Sequence, residues 1–95
     1  MTAAELAEKR LQLIRAALTT RLQPLQLDIR DDSAKHAGHA GAREGGHFSI
    51  HIVSHLFQDR PRIQRHQMVY EAVAELMGRD IHALAIAAHT PGEAS

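Results

Sequence analysis

The spacing of apolar residues changes along this chain, and the order of these changes restricts the possible folds more than any other feature. In the first segment apolar residues recur every three or four positions, which predicts an amphipathic helix that ends near Leu22. These positions are Ala7, Leu11, Ile14, Leu18 and Leu22. Thr2 and Glu5 precede this stripe and predict a capping box at the start of the helix.

Two segments then alternate apolar and polar residues, which is the period of half-buried β-strands. Their apolar positions are Leu25, Leu27 and Ile29 in the first segment and Phe48, Ile50 and Ile52 in the second. Between them, the stretch from Asp32 to Gly46 contains four glycines and no apolar side chain larger than alanine. This stretch is too long for a tight hairpin turn, so we expect a mobile loop with a functional role.

Helix signals return after the second strand. Ser54 is placed to cap a single turn that ends at Phe57, and a second long helix is predicted from Pro61 to Gly78. We expect the buried stripe of this helix to consist of Ile63, His66, Tyr70, Val73 and Met77, with Glu71 and Glu75 on the opposite side.

A third strand is predicted from Ile81 to Ala88. Its alternation places Ala83, Ala85 and Ala87 on one face and His82, Leu84 and Ile86 on the other. The order is therefore αββααβ, with the last strand parallel to one hairpin strand and both long helices on one face of a three-stranded mixed sheet. We predict one α/β (α+β) domain over residues 1–95, with its core from about residue 3 to residue 90 and a short flexible C-terminal tail.

Composition excludes several classes of protein. Eleven basic and eleven acidic side chains cancel, so net charge gives no argument for nucleic-acid binding, although a local basic patch stays compatible with it. The absence of cysteine excludes a disulfide framework and a self-contained thiolate zinc site. The first residues carry two glutamates and no apolar run, so we expect no signal or transit peptide and a cytoplasmic location. No segment approaches the roughly 18 apolar residues of a membrane span.

Histidine is abundant, with eight residues among the 95. A soft metal centre in this chain can draw only on imidazoles, so any thiolate must come from a partner or a small thiol. His51 and His55 are interpreted as ordinary surface residues, and the sequence around His89 does not indicate a role for it.

Several short phrases together resemble the BolA family, and they cover nearly the whole chain beyond the first helix. They are Asp31-Asp-Ser33, His36-Ala-Gly-His-Ala-Gly-Ala42, His47-Phe48, Ile52-Val-Ser54, Phe57, Arg65-His66, Val69-Tyr70, His82-Ala-Leu84, Thr90-Pro91 and Glu93. Each phrase is weak alone, but the combination is specific. The resemblance implies a fold similar to class II KH domains, which agrees with the order of elements predicted above.

The same resemblance implies a partner and a cofactor. BolA-like proteins pair with a monothiol glutaredoxin and share with it and glutathione a [2Fe-2S] cluster, and they are also linked to stress response. The phrase His82-Ala-Leu84 carries the family's ligand histidine, and His36 matches the position of a second ligand in the loop. His39 and His47 are alternatives, and His47 is also placed to support the loop. Alone, we expect the chain to be a monomer or a weak homodimer.

A basic cluster near the second long helix resembles the family's proposed nucleic-acid-contacting surface. It consists of Arg60, Arg62, Arg65 and His66. The guanidinium group of arginine donates paired hydrogen bonds that suit phosphate oxygens. The alternative function is therefore a transcriptional regulator that binds DNA weakly. His66 falls on the predicted apolar stripe, which favours a structural role for it. KH domains bind RNA through a Gly-x-x-Gly between two helices, and residues 56–63 contain no glycine.

Enzyme motifs are missing from the sequence. It has no cysteine nucleophile, no Gly-x-Ser-x-Gly and no phosphate-binding Gly-Lys-Ser/Thr. Asp31 and Asp32 fit a turn as well as a catalytic pair. A zinc hydrolase with His36, His39 and His47 as ligands ranks third among the hypotheses. We therefore predict a protein that is not an enzyme.

Overall fold

The computed structural model describes residues 1–33 and 45–94, so most of the predicted loop lies outside the described residues. The elements are helix α1 (Ala3–Leu22), strands β1 (Gln26–Asp31) and β2 (Gly46–Val53), a first 3₁₀ turn (His55–Phe57), helix α2 (Arg62–Ala72), a second 3₁₀ turn (Ala74–Leu76), strand β3 (Ile81–His89) and a short helix α3 (Pro91–Ala94). The predicted αββααβ order is confirmed, with one helical turn added at the end. None of the helices in these two ranges is long and apolar enough to cross a membrane.

The three strands form one mixed sheet in the order β1-β2-β3. β1 and β2 are antiparallel, with Ile29 opposite Ile50. β2 and β3 are parallel, with Phe48 opposite Leu84 and Ile50 opposite Ile86. The parallel pair requires a crossover, which the segment containing α2 provides.

Both long helices cover the same face of this sheet. The buried apolar core contains Ile14, Leu18 and Leu22 of α1, Phe48, Ile50 and Ile52 of β2, Val69 of α2, and Phe57, Val73, Ile81 and Ala88. The predicted stripe of α1 is therefore confirmed in its C-terminal half, and the Thr2–Glu5 capping box is formed. The opposite sheet face bears an open groove between the three strands.

The prediction for the second long helix is wrong in two respects. α2 ends at Ala72 rather than at Gly78, because Val73 leaves the helical backbone conformation at φ −108° and ψ 17° and a 3₁₀ turn follows. The predicted stripe is also wrong at two of its five positions, since Ile63 is 69% exposed and Tyr70 is 40% exposed. It is right at Val73, which is buried, and at Met77, which packs against the core.

The inward face of α2 overlaps the predicted stripe only at its C-terminal end. Met68, Val69 and Ala72 pack against the core, with Val73 just beyond the helix end. This face contacts α1 and β3, so packing against these two elements decides which residues of α2 are buried.

Residues 91–94 form a helical turn where the sequence analysis expected a flexible tail. The Thr90 N–H donates to Glu93 Oε1 at 2.9 Å, and the Glu93 N–H donates back to Thr90 Oγ1 at 3.4 Å. This reciprocal pair has the pattern of a capping box. Arg65 then binds both carboxylate oxygens of Glu93, at 2.6 and 3.1 Å, and joins the turn to α2.

This ion pair makes the stability of the fold depend on pH. The hydrogen bond from Arg65, aided by the Thr90 N–H, lowers the pKa of Glu93 from 4.5 to about 2. Because the folded value lies below the unfolded one, the ionised carboxylate stabilises the fold above about pH 4.5, and this contribution is lost as the pH falls toward 2. We expect the melting temperature of the wild type to exceed that of Glu93→Gln at neutral pH and to converge with it near pH 2. Thermal unfolding by circular dichroism measures both, and a constant difference across this range would contradict the assignment.

Candidate metal centre

A β-bulge sets the position of His82 at the start of β3. Gly46 pairs with Ile81 and His47 pairs with Ala83, so β3 contains one extra residue, which is His82. Bulges bend a strand locally and change the direction in which a side chain points. Ile81 is buried and His82 is exposed. The bulge thus presents a histidine outside the core at the edge of the domain.

His82 lies next to His47 of β2. The centroids of the two rings are 5.1 Å apart, and the ring planes make an angle of 39°. Two imidazoles bound to one first-row metal ion, at roughly 2.1 Å and a near-tetrahedral angle, have centroids on the order of 5 Å apart. The centroid spacing of the pair therefore matches the spacing of two imidazoles bound to a single metal ion.

The backbone of His47 holds together the two ends of the glycine-rich segment. The His47 N–H donates to Ser33 Oγ at 3.1 Å, and the Asp32 N–H donates to the His47 carbonyl at 2.7 Å. Ser33 is held in turn by Asp31, whose carboxylate accepts its N–H at 2.8 Å. Ser49 Oγ also donates to the carboxylate of Asp32. The chain therefore enters and leaves this segment beside the histidine pair.

Two of the predicted ligands, His36 and His39, lie outside the described residues. Within residues 1–33 and 45–94, no three histidine, cysteine or acidic side chains are grouped closely enough to hold a metal ion. Within the part of the domain that the structure describes, the candidate metal centre is therefore a pair of imidazoles.

Gly45 allows the chain to pass directly against the start of β3. It has φ of +124°, and a Cβ there would lie 2.7 Å from the Ile81 carbonyl carbon and 2.8 Å from the His82 backbone nitrogen. Its neighbour Gly46 donates its N–H to the Asp80 carbonyl at 3.0 Å. In the sequence alone these glycines are indistinguishable from other loop residues, because their role depends on contact with a strand far away in the sequence.

Replacing Gly45 with alanine is expected to destabilise the domain by about 2 kcal/mol or more, since it combines an unfavourable positive φ with a clash against backbone atoms. Gly78 is the matched control, because it has φ of +80° but a Cβ added there would meet no atom within 4 Å. Urea unfolding of both variants separates the two effects: Gly78→Ala should show only the conformational cost. Equal losses in the two variants would contradict the contact between Gly45 and β3.

The basic cluster does not form one open surface. Arg60 and Arg62 are exposed and His66 is half-buried. The side chain of Arg65 is only 13% exposed. It donates to the carbonyls of Arg60 at 2.7 Å and Ala88 at 3.1 Å, in addition to Glu93. The hydrogen bonds with Glu93 also raise the pKa of Arg65. Arg65 thus has a structural role. Within the basic cluster, Arg60 and Arg62 are the arginines that face solvent.

A second pair of neighbouring histidines was not predictable from the sequence. His51, which was interpreted as an ordinary surface residue, and His89 lie side by side with ring centroids 5.4 Å apart. They come from different strands, so only the register of β2 against β3 reveals their contact.

Comparison with known proteins places these features in a family. The family model for BolA-like proteins matches residues 18–93. The BolA domain of SufE1 from Arabidopsis thaliana has a similar structure, with a TM-score of 0.76, 39% identity, and coverage of 86% of this chain and 92% of that one.

Curated relatives agree with this match. BolA-like protein 1 of Mus musculus is 41% identical over 84% of this chain and 57% of its own length. The DNA-binding transcriptional regulator BolA of Haemophilus influenzae is 35% identical over 86% of this chain and 78% of its own length. The chain spans only 23 to 57% of the length of SufE-like protein 1 and the plant and mouse BolA-like relatives. Since the family model covers most of the chain and the fold agrees, the protein belongs to the BolA-like family.

Proposed function

We propose that this protein is a non-enzymatic adaptor that pairs with a monothiol glutaredoxin and glutathione to bind, carry or sense a [2Fe-2S] cluster. The observation that carries the proposal is the pair of rings at His47 and His82, spaced for one metal ion and placed at the edge of the domain. A chain without cysteine needs thiolates from outside, and a glutaredoxin cysteine and the glutathione thiol supply them.

His82 is the first proposed ligand, and the second is His47 of β2 or a histidine of the adjoining segment. The geometry supports His47, which already lies beside His82, while His36 stays a proposal from the family pattern and His39 an alternative. Imidazole ligation at one iron raises the reduction potential of a [2Fe-2S] cluster relative to all-thiolate ligation. If His47 is the second ligand, both ligands lie on strands of one sheet, whose pairing fixes the backbone at each of them.

Reconstitution tests this proposal directly. The protein is mixed with a monothiol glutaredoxin, glutathione, iron and sulfide, and visible circular dichroism and size-exclusion chromatography follow the products. We expect a heterodimer that forms only when the cluster is present and whose spectrum differs from that of the glutaredoxin alone. A glutaredoxin cluster that keeps its spectrum and its size after addition of this protein would contradict the proposal.

DNA binding is the second candidate function, because two relatives are named DNA-binding transcriptional regulator BolA. The exposed Arg60 and Arg62 are the residues suited to phosphate contact. We expect weak binding, since the net charge is zero. The double change to alanine should weaken binding to all sequences and reduce the salt dependence by up to about two units. Tight, sequence-selective binding that survives this change would place the site elsewhere.

The cytoplasm remains the proposed location. Relatives include proteins named as chloroplastic or mitochondrial, so the family itself occurs in several compartments.

A further inference from the structure

A second pair of histidines lies farther along the same two strands. His51 is paired with Ala87 and His89 with Val53, so the two histidines are diagonal neighbours across the parallel strands. Their ring centroids are 5.4 Å apart and the ring planes make an angle of 49°. This spacing is close to the 5.1 Å of the candidate metal centre. Four residues of extended strand separate His47 from His51, which is roughly 13 Å, so the two pairs are distinct.

Each ring of this second pair has a carboxylate near its Nδ1 atom. Asp28 Oδ2 lies 3.7 Å from the Nδ1 of His51, and Glu93 Oε1 lies 4.0 Å from the Nδ1 of His89. Metal-binding histidines commonly have a carboxylate next to the nitrogen that does not bind the metal, because it fixes the orientation of the ring. Because the Nδ1 atoms lie beside the carboxylates, the Nε2 atoms are the nitrogens that we assign to the ligand.

The histidine pair is open to solvent, and nearby carboxylates offset the positive charge of two neighbouring arginines. The two histidine side chains are 39% and 40% exposed, so an ion can reach them from solvent. Arg30 lines the same groove as His51 and is paired with Asp32 at 2.9 Å. Arg65 lies near His89 and is paired with Glu93 at 2.6 Å, so a carboxylate offsets the charge of each of these two arginines. Both histidines are on strands, and strands position ligands more rigidly than loops.

We propose that His51 and His89 form a separate binding site for a divalent first-row metal ion that prefers imidazole nitrogen. Among the described residues no third ligand completes the site, so water fills the other positions and the ion exchanges readily. Cu²⁺ is the appropriate probe, because it binds nitrogen ligands most tightly in the first-row series. The site shares no residue with the proposed cluster ligands, so either proposal can fail without the other.

Nuclear magnetic resonance with Cu²⁺ locates the ion by residue. Substoichiometric Cu²⁺ added to the ¹⁵N-labelled protein should broaden the amide signals of residues 51, 87 and 89 as one patch. This patch should disappear in His51→Gln and in His89→Gln. Asp28→Asn should weaken the binding that the patch reports by roughly tenfold, since it removes only the orienting carboxylate.

Two matched variants control for other histidines. His55→Gln changes an exposed histidine four positions after His51, and His82→Gln removes a ligand of the other centre. Both should keep the patch. The proposal is overturned if Cu²⁺ leaves the signals of residues 51 and 89 sharp, if the patch persists in His51→Gln or His89→Gln, or if His82→Gln abolishes it. Amide shifts recorded without copper verify that each variant is folded.

Discussion

Replacing His82 with alanine should remove the cluster from the complex with glutaredoxin, or shift its spectrum toward all-thiolate ligation, while the domain stays folded. The side chain is exposed and lies on a bulge outside the core, so its loss leaves no cavity. The lifetime of the cluster should fall by at least about tenfold, which is the lower end of what even an orienting residue contributes to metal affinity. Visible circular dichroism of the reconstituted complex and thermal unfolding of the free protein measure the two effects.

The same complex identifies the second ligand. Nitrogen hyperfine couplings of the reduced cluster should change in whichever of His47→Ala, His36→Ala and His39→Ala removes a coordinating ring. The geometry favours His47, and the family pattern favours His36. His55→Ala is the control, since His55 is exposed on the first 3₁₀ turn. A folded His82→Ala variant whose cluster spectrum is unchanged would contradict the proposed ligand.

Acidification gives an independent check on the same centre. Only the neutral imidazole coordinates a metal, so protonation of a released ring competes with binding. The cluster should be lost more rapidly at pH 5 than at pH 8. A lifetime that does not change across this range would contradict histidine ligation.

Replacing Arg65 with alanine should cost about 2 kcal/mol of stability, because four charge-assisted hydrogen bonds are lost and their acceptors lose a partner. For a domain of this size the melting temperature should fall by roughly 10 °C. The side chain links α2 to the end of β3 and to the turn at Glu93, so the loss affects three elements together. Chemical and thermal unfolding measure it.

Arg62 provides the matched control for Arg65. It has the same side chain, lies three residues earlier in the sequence and is exposed, so Arg62→Ala should change stability by less than about 0.5 kcal/mol. Arg65→Lys keeps the charge but loses the planar fork that binds both oxygens of Glu93, so it should recover only part of the stability. Equal stability of Arg62→Ala and Arg65→Ala would show that the interaction with Glu93 contributes little.

The elements whose hydrophobic period is unambiguous were predictable from the sequence. The stripe of α1 and the alternation of β2 each have a single amphipathic solution, and the crossover before β3 implies its parallel pairing. In α2, by contrast, two sets of residues have the helical spacing expected of a buried face. Ile63 and Tyr70 of the predicted stripe face solvent, whereas Val69, outside that stripe, faces the core. Contact with α1 and β3 selects between them, and this contact is not encoded in the local pattern.

The site residues show the same division. The sequence by itself determined that a soft metal centre in this chain can draw only on imidazoles, and the family pattern singled out His82. Strict alternation placed His82 on the face of Leu84, but the bulge moves it next to His47. The contacts between His51 and His89, and between Arg65 and Glu93, likewise join residues that are distant in the chain. Only tertiary structure decided these contacts, because they depend on the register of β2 and β3 and on how α2 packs beside them, which long-range burial sets.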